Sequence, residues 1–219
     1  MIKALIFDIG GVLSYDVWEH LLLDADNGIA SLCNLDLDEV QRVGRELWDI
    51  FAHRTVNDKH DWKELERSYW NIFIDRFRLP MSPDQCIELT DKFIRPVEGM
   101  NQVLSNLQSR EIKLAICSNN TEFWFERQMD KLGLYSFFDP DNIILSSRIG
   151  VSKSSPRSEM FHAVVNALRV DKDCCVLVDD REEIVQQAVE FGITGIIFPS
   201  QARHGARYLK ALLEKMQVL

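Results

Sequence analysis

Apolar and polar positions along the chain follow two periods, and the change between them separates two kinds of structure. The run Ala4-Leu5-Ile6-Phe7 is continuously apolar and ends in Asp8, followed by Gly10-Gly11. Such a run predicts a strand buried on both faces and then a sharp turn. From Asp16 to about Arg95 the spacing becomes helical. Val17, Leu21, Leu22 and Ala25 form one stripe, and Val40, Val43, Leu47, Ile50 and Phe51 a second. Trp62, Leu65, Tyr69, Ile72, Phe73 and Phe77 form a third. After Pro80, Ser82 reads as an N-cap for a fourth helix carrying Cys86, Leu89 and Phe93. Four helices without a strand signal predict an all-helical insertion after the first strand.

Pro96 marks the way back, and the period changes again. A helix over 99–110 leads to the strand Lys113–Cys117, which ends at Ser118-Asn119-Asn120. A helix over 121–132, a short strand Ile143–Leu145 and a helix over 158–168 follow. The strand Cys174–Val178 ends in Asp179-Asp180. A helix over 182–191, a strand Thr194–Phe198 and an amphipathic helix over 202–216 complete the chain. Alternation of this kind predicts right-handed βαβ units and a parallel sheet covered on both faces, an α/β fold.

Composition narrows the function classes. A chain of 219 residues that is 46% hydrophobic can build one large domain or a domain with a smaller insert. A net charge of -9 without a basic stripe argues against nucleic acid. No apolar run reaches the roughly 20 residues that span a bilayer, and the N-terminus lacks the pattern of a signal peptide. Cys33, Cys86, Cys117, Cys174 and Cys175 are scattered, without metal-site spacing, and read as reduced thiols of a cytoplasmic protein. His20, His53, His60, His162 and His204 show no ligand spacing either, and read as structural or surface residues.

In a parallel sheet the strand ends converge on one rim, where open α/β folds place their ligands. That rim would gather Asp8, Ser118-Asn119 and Asp179-Asp180, with Lys153 in the loop after the short strand. Each alone has a plain alternative. Asp8 suits a turn, Ser118 or Asn119 a helix N-cap, Asp179-Asp180 the dipole of the next helix, and Lys153 solvent. Together, three carboxylates at one rim repel unless a cation or a lysine neutralises them. Mg²⁺, held by one or two carboxylates and completed by water and phosphate, suits such a site. Lys153 and the Ser118 hydroxyl would hold phosphate oxygens, and Asp8 would be the nucleophile.

Four segments then resemble a known family. They are Phe7-Asp8-Ile9-Gly10-Gly11-Val12-Leu13, Ile116-Cys117-Ser118-Asn119, Gly150-Val151-Ser152-Lys153 and Val178-Asp179-Asp180-Arg181. In order, spacing and placement they resemble the four motifs of the haloacid dehalogenase superfamily, over nearly the whole chain. The chain is similar to its helical-cap phosphatases, including glucose-1-phosphate phosphatase-like and epoxide hydrolase N-terminal-like members. The resemblance implies a three-layer Rossmann-like parallel sheet core at residues 1–15 and 96–219, with an inserted four-helix cap domain at 16–95. It also implies a Mg²⁺-dependent phosphatase of a small phosphorylated metabolite, cytoplasmic, a monomer or homodimer. Asp8 resembles the nucleophile and a metal ligand, and Ser118 the phosphate-binding hydroxyl, with the Asn119 amide beside it. Lys153 resembles the lysine that screens Asp8 from the incoming phosphate. Asp180 resembles the metal carboxylate, with Asp179 a ligand or its neighbour. Ile9 and Gly10 join the substrate-binding set, and the Gly10 carbonyl also the metal.

Three positions depart from that pattern. Where the phosphatases carry a second aspartate, two residues after the nucleophile, this chain has Gly10. That carboxylate protonates the leaving group and activates water, work worth about 10²–10⁴-fold. Its absence favours leaving groups of low pKa, such as sugar 1-phosphates and acyl phosphates. Relatives resembling glucose-1-phosphate phosphatase share the glycine and remain active. The loop Ser154-Ser155-Pro156-Arg157 after Lys153 is about two residues longer than usual, which predicts a less rigidly aimed lysine. Ile184 stands where Asn or Asp often supports the metal loop. Two further readings follow. A 2-haloacid dehalogenase-like hydrolase expels halide and needs no acid, but members of that kind do without metal and lack the acidic pair. A catalytically silent binding or regulatory protein would keep the fold without turnover. Tyr15 and Asp16 at the first hinge, and Glu122, Phe123 and Trp124 after the second motif, are the residues expected to face a substrate.

Overall fold

The computed structural model describes residues 1–53, 62–199 and 205–219. Five parallel strands form one sheet: β1 (Ala4–Phe7), β2 (Lys113–Ser118), β3 (Ile143–Leu145), β4 (Cys175–Asp179) and β5 (Thr194–Ile197), in the order β3-β2-β1-β4-β5. β1 lies at the centre, Phe7 opposite Ile116 on one side and Val178 on the other. All four β1 residues are fully buried, as a strand covered on both faces requires.

Alternate residues of the strands feed two apolar layers. Ala4, Ile6, Ala115, Cys117, Cys175 and Leu177 pack against α9 (Glu159–Leu168) and α10 (Glu182–Phe191). Leu5, Phe7, Leu114, Ile116, Val176 and Val178 face α6 (Met100–Gln108), α7 (Glu122–Leu132) and α11 (Gly205–Lys215). A single turn, α8 (Ser146–Ile149), follows β3. The three-layer α/β expectation therefore holds. Cys174 belongs to a short 3-10 turn rather than to its strand, and the predicted helix start at Ala202 lies outside the described residues.

Between β1 and β2 the chain is helical: α1 (Val17–Leu23), α2 (Ile29–Leu32), α3 (Leu37–Phe51), α4 (Trp62–Phe77) and α5 (Pro83–Phe93). Five helical segments stand where four were expected, counting described residues. The difference is local. Asp24 Oδ1 accepts the N–H groups of Asp26 and Asn27 at 3.1 and 2.8 Å, so the chain turns before Ala25 can extend the first helix. Ser82 and Gln85 form a capping box with Pro83 in the first turn of α5, as the sequence predicts.

The two crossings between sheet and insertion run side by side. Ser14 bridges Pro96 in antiparallel fashion, Tyr15 N–H donates to the Arg95 carbonyl at 3.0 Å, and Val97 N–H to the Leu13 carbonyl at 3.1 Å. Apolar packing continues across the junction, because one cluster joins Phe51, Tyr69 and Phe73 of the insertion to Phe123 and Trp124 of α7. Trp48 stacks on Trp124 with ring centres 5.3 Å apart.

Candidate active site at the carboxyl rim of the sheet

The sequence places carboxylates at the ends of β1 and β4, and the central pairing of those strands makes them neighbours. Ligand oxygens of Asp8, Asp179 and Asp180 all lie within 4.8 Å of one another. Lys153 reaches them from the loop after β3 and is completely buried. Its Nζ lies 2.8 Å from Asp8 Oδ2 and 2.5 Å from Asp179 Oδ2. Burial by itself lowers the Lys153 ammonium; the charges of Asp179 and Asp8 outweigh it and hold the group above the usual lysine range. The lysine is therefore a fixed cation.

The carboxylates differ in how far they are committed. Asp179 is buried, with Oδ1 taking the Arg181 N–H at 3.0 Å and Oδ2 on Lys153. Asp8 Oδ1 accepts the Ile9 N–H at 2.8 Å, and Oδ2 meets Lys153. Asp180 has no hydrogen bond to a described residue. Burial, with Asp8, Asp179 and Asp16 close by, pushes its carboxyl up to about 6. One lysine does not balance three carboxylates. Hard oxygen donors crowded to that degree fit a divalent cation such as Mg²⁺, which Asp8 and Asp180 would hold directly.

The loop bearing Lys153 is tightly held, contrary to the expectation from its extra residues. Asn119 clamps it, with Nδ2 donating to Ser152 Oγ at 2.9 Å and Oδ1 accepting the Lys153 N–H at 2.8 Å. Ser152 and Ser154 hydroxyls meet at 2.8 Å, and the added length is taken up in a turn ending at Ser158, φ 53°. The Asn119 side chain expected at substrate is thus spent on positioning the lysine. Ser118 stands buried at the end of β2, beside Leu145 of β3. Ile9 directs its side chain into the core and its N–H onto Asp8 Oδ1. Ile184 is buried in the apolar layer on one face of the sheet. Burial pushes the Cys117 thiol beneath the rim up to about 12, which leaves it unreactive.

The residues expected to face substrate at the first hinge and after the second motif divide. Phe123 and Trp124 are buried in the aromatic cluster. Glu122 is buried against Arg148, 2.5 Å away. None of these three can meet a ligand; nothing in the sequence marks Arg148 as the partner. Tyr15 packs edge-on to His20. Asp16 caps α1, its Oδ1 accepting the Glu19 N–H at 2.9 Å, while Oδ2 turns toward Gly10. Burial pushes the Asp16 carboxyl up against that hydrogen bond, and the Glu19 and Asp8 charges push the same way.

With this geometry in hand, comparison with known proteins is informative. A model of the haloacid dehalogenase-like hydrolases matches residues 2–192. No curated protein matches. Among solved structures, a haloacid dehalogenase-family enzyme of Bacteroides thetaiotaomicron is 18% identical, covering 92% of this chain and 95% of its own, with TM-score 0.64. The same enzyme has been crystallised with magnesium and inorganic phosphate. A phosphatase of this family from Thermococcus onnurineus is 20% identical over 98% of both chains, TM-score 0.61. L-2-haloacid dehalogenase of Xanthobacter autotrophicus is 20% identical over 96% of this chain and 83% of its own, TM-score 0.58. At such identities the likeness is one of fold.

Proposed function

The chain belongs to the haloacid dehalogenase-like hydrolase family, and from that premise we propose that it is a Mg²⁺-dependent phosphatase of a small phosphorylated metabolite. The observation that carries the reading is Lys153, buried between Asp8 and Asp179, with Asp180 left short of a counter-charge. A halide-expelling site has no use for that third carboxylate; a site that must bind a cation and a phosphoryl group does. Mg²⁺ held by Asp8, Asp180 and the Gly10 carbonyl would neutralise charge on the phosphoryl oxygens.

The protein's own groups have distinct work. Asp8 Oδ attacks phosphorus, forming an aspartyl-phosphate. Lys153 offsets the repulsion between the Asp8 carboxylate and the dianion it attacks. Asp179 and Asn119 hold Lys153 in place, and the Ser118 hydroxyl serves as a donor to a phosphoryl oxygen. Residues 16–95 act as a cap over this rim, and residues 1–15 and 96–219 as the catalytic core. Opening about the paired crossings would admit substrate and then exclude water.

The test is phosphate release from p-nitrophenyl phosphate, acetyl phosphate and a panel of sugar phosphates, with Mg²⁺ or EDTA, for wild type and Asp8→Asn. Turnover that needs the metal and falls on the order of 10⁴-fold or more in Asp8→Asn is expected. Wild-type protein inert on every phosphoester, yet releasing halide from 2-haloacids, would overturn the reading in favour of dehalogenation.

A further inference from the structure

Gly10 removes the carboxylate that should manage protons, but the structure returns one to the same place. A Cβ built on Gly10 would lie 3.6 Å from Asp16 Oδ2 and, its chain neighbours aside, would meet nothing else among the described residues within 4 Å. Asp16 comes from the crossing strand just before α1, so its direction is set by the chain's own path out of the sheet. One oxygen is committed to capping that helix. The other is left over and faces the space an aspartate side chain at position 10 would occupy.

Resting on the phosphatase reading above, we propose that Asp16 is the general acid and base of this enzyme, replacing the aspartate lost at position 10. As Asp8 attacks, the bond from phosphorus to the leaving oxygen breaks. Its electron pair takes the proton of the Asp16 carboxyl, and the alcohol departs. The Asp16 carboxylate then accepts a proton from water as the water oxygen bonds to phosphorus and the Asp8–phosphorus bond breaks. Inorganic phosphate leaves, Asp8 is again a carboxylate and Asp16 again an acid. The proton donor has moved from the nucleophile's own turn to the first crossing into the insertion. Proton transfer is thereby tied to the position of the helices.

Asp16→Asn tests the assignment without removing the cap, because Asn caps helices as well as Asp. Phosphate release is measured on acetyl phosphate, whose leaving group needs no proton, and on an alkyl phosphate such as glycerol 3-phosphate, whose leaving group does. Expected in Asp16→Asn is a loss of about 10²–10⁴-fold in kcat/KM on the alkyl ester, with kcat/KM on acetyl phosphate lowered far less, because kcat/KM reports only the steps up to departure of the leaving group; kcat falls on both, since both pass through the same aspartyl-phosphate hydrolysis. Asp16→Ser, another good cap, should behave alike. Gly10 is not held at positive φ, unlike Gly11 at 75°, so Gly10→Asp is sterically allowed. Added to Asp16→Asn, it should recover at least tenfold on the alkyl ester. Equal losses of kcat/KM on both substrates, or none, would overturn the assignment and leave Asp16 a helix cap, with the phosphatase reading intact. An inactive wild type would remove both.

Discussion

Two buried ion clusters, one at the sheet rim and one between α4 and α7, are built alike and end differently. At the rim a lysine ammonium serves Asp8 and Asp179, and Asp180 remains beyond its reach. Between the helices Arg127 grips Glu66 through two nitrogens, Nε to Oε1 and Nη2 to Oε2, both at 2.8 Å, and reaches Asp91 with Nη1 at 3.1 Å. Both clusters hold one cation and surplus negative charge. The Asp91 side chain is 42% exposed, however, so water solvates the surplus there. Asp180 is only partly exposed, and burial with the neighbouring carboxylates raises its carboxyl to about 6. The helix cluster is electrostatically closed and fastens the insertion to α7. The rim cluster keeps unbalanced negative charge at Asp180, where the proposed Mg²⁺ would sit.

The comparison breaks most readily at the lysine. Lys153→Met leaves Asp8 and Asp179 buried without a partner and should cost about 3–5 kcal/mol in urea denaturation. Lys153→Met with Asp179→Asn should recover a large part of it. A single variant as stable as wild type would mean that the rim is wetter than its burial indicates. Arg127→Met strands Glu66, whose side chain is 1% exposed, and should cost about 2–4 kcal/mol by the same measurement. Arg127→Met with Glu66→Gln should lie near wild type, since nothing there waits for a ligand. The smallest effect is in pH. The Asp180 carboxyl at about 6 stands above its ordinary 3.8. The folded protein therefore keeps a proton that the unfolded chain has already lost. Its stabilising contribution is complete below about pH 4 and fades as pH rises through 6, by about 1–2 kcal/mol. Melting temperatures in EDTA should show the decline; Mg²⁺ at neutral pH should reverse it, and Asp180→Asn should abolish it.

What could be read from the chain follows the range of the interactions. The period change at Pro96 reports burial residue by residue, and it located the sheet and the helical insertion. The ends of β1 and β4 could be read as one acidic rim because parallel strands put their termini together. The hydrogen bonds that aim the lysine were not legible. Asn119 and Lys153 lie 34 positions apart, and no local pattern couples an amide to the backbone N–H of that loop. Asp24 illustrates the opposite failure. Its turn is wholly local, but the apolar stripe through Ala25 suggested that the helix continues. Asp16 was legible only as a residue of the first hinge, while the aim of its second oxygen toward Gly10 depends on the three-dimensional course of the crossing.

The clip between the two crossings also bears on how the chain finds its fold. Phe7 must meet Ile116 across the whole helical insertion. Chain entropy charges for that closure according to the length of free chain between the ends. Once Leu13 and Tyr15 have joined Val97 and Arg95, the free chain shrinks roughly fourfold, which lowers the closure cost by about 1 kcal/mol. The insertion then acts kinetically as a short turn, and a large helical segment can sit inside the central strand pairing with little delay to the sheet's assembly.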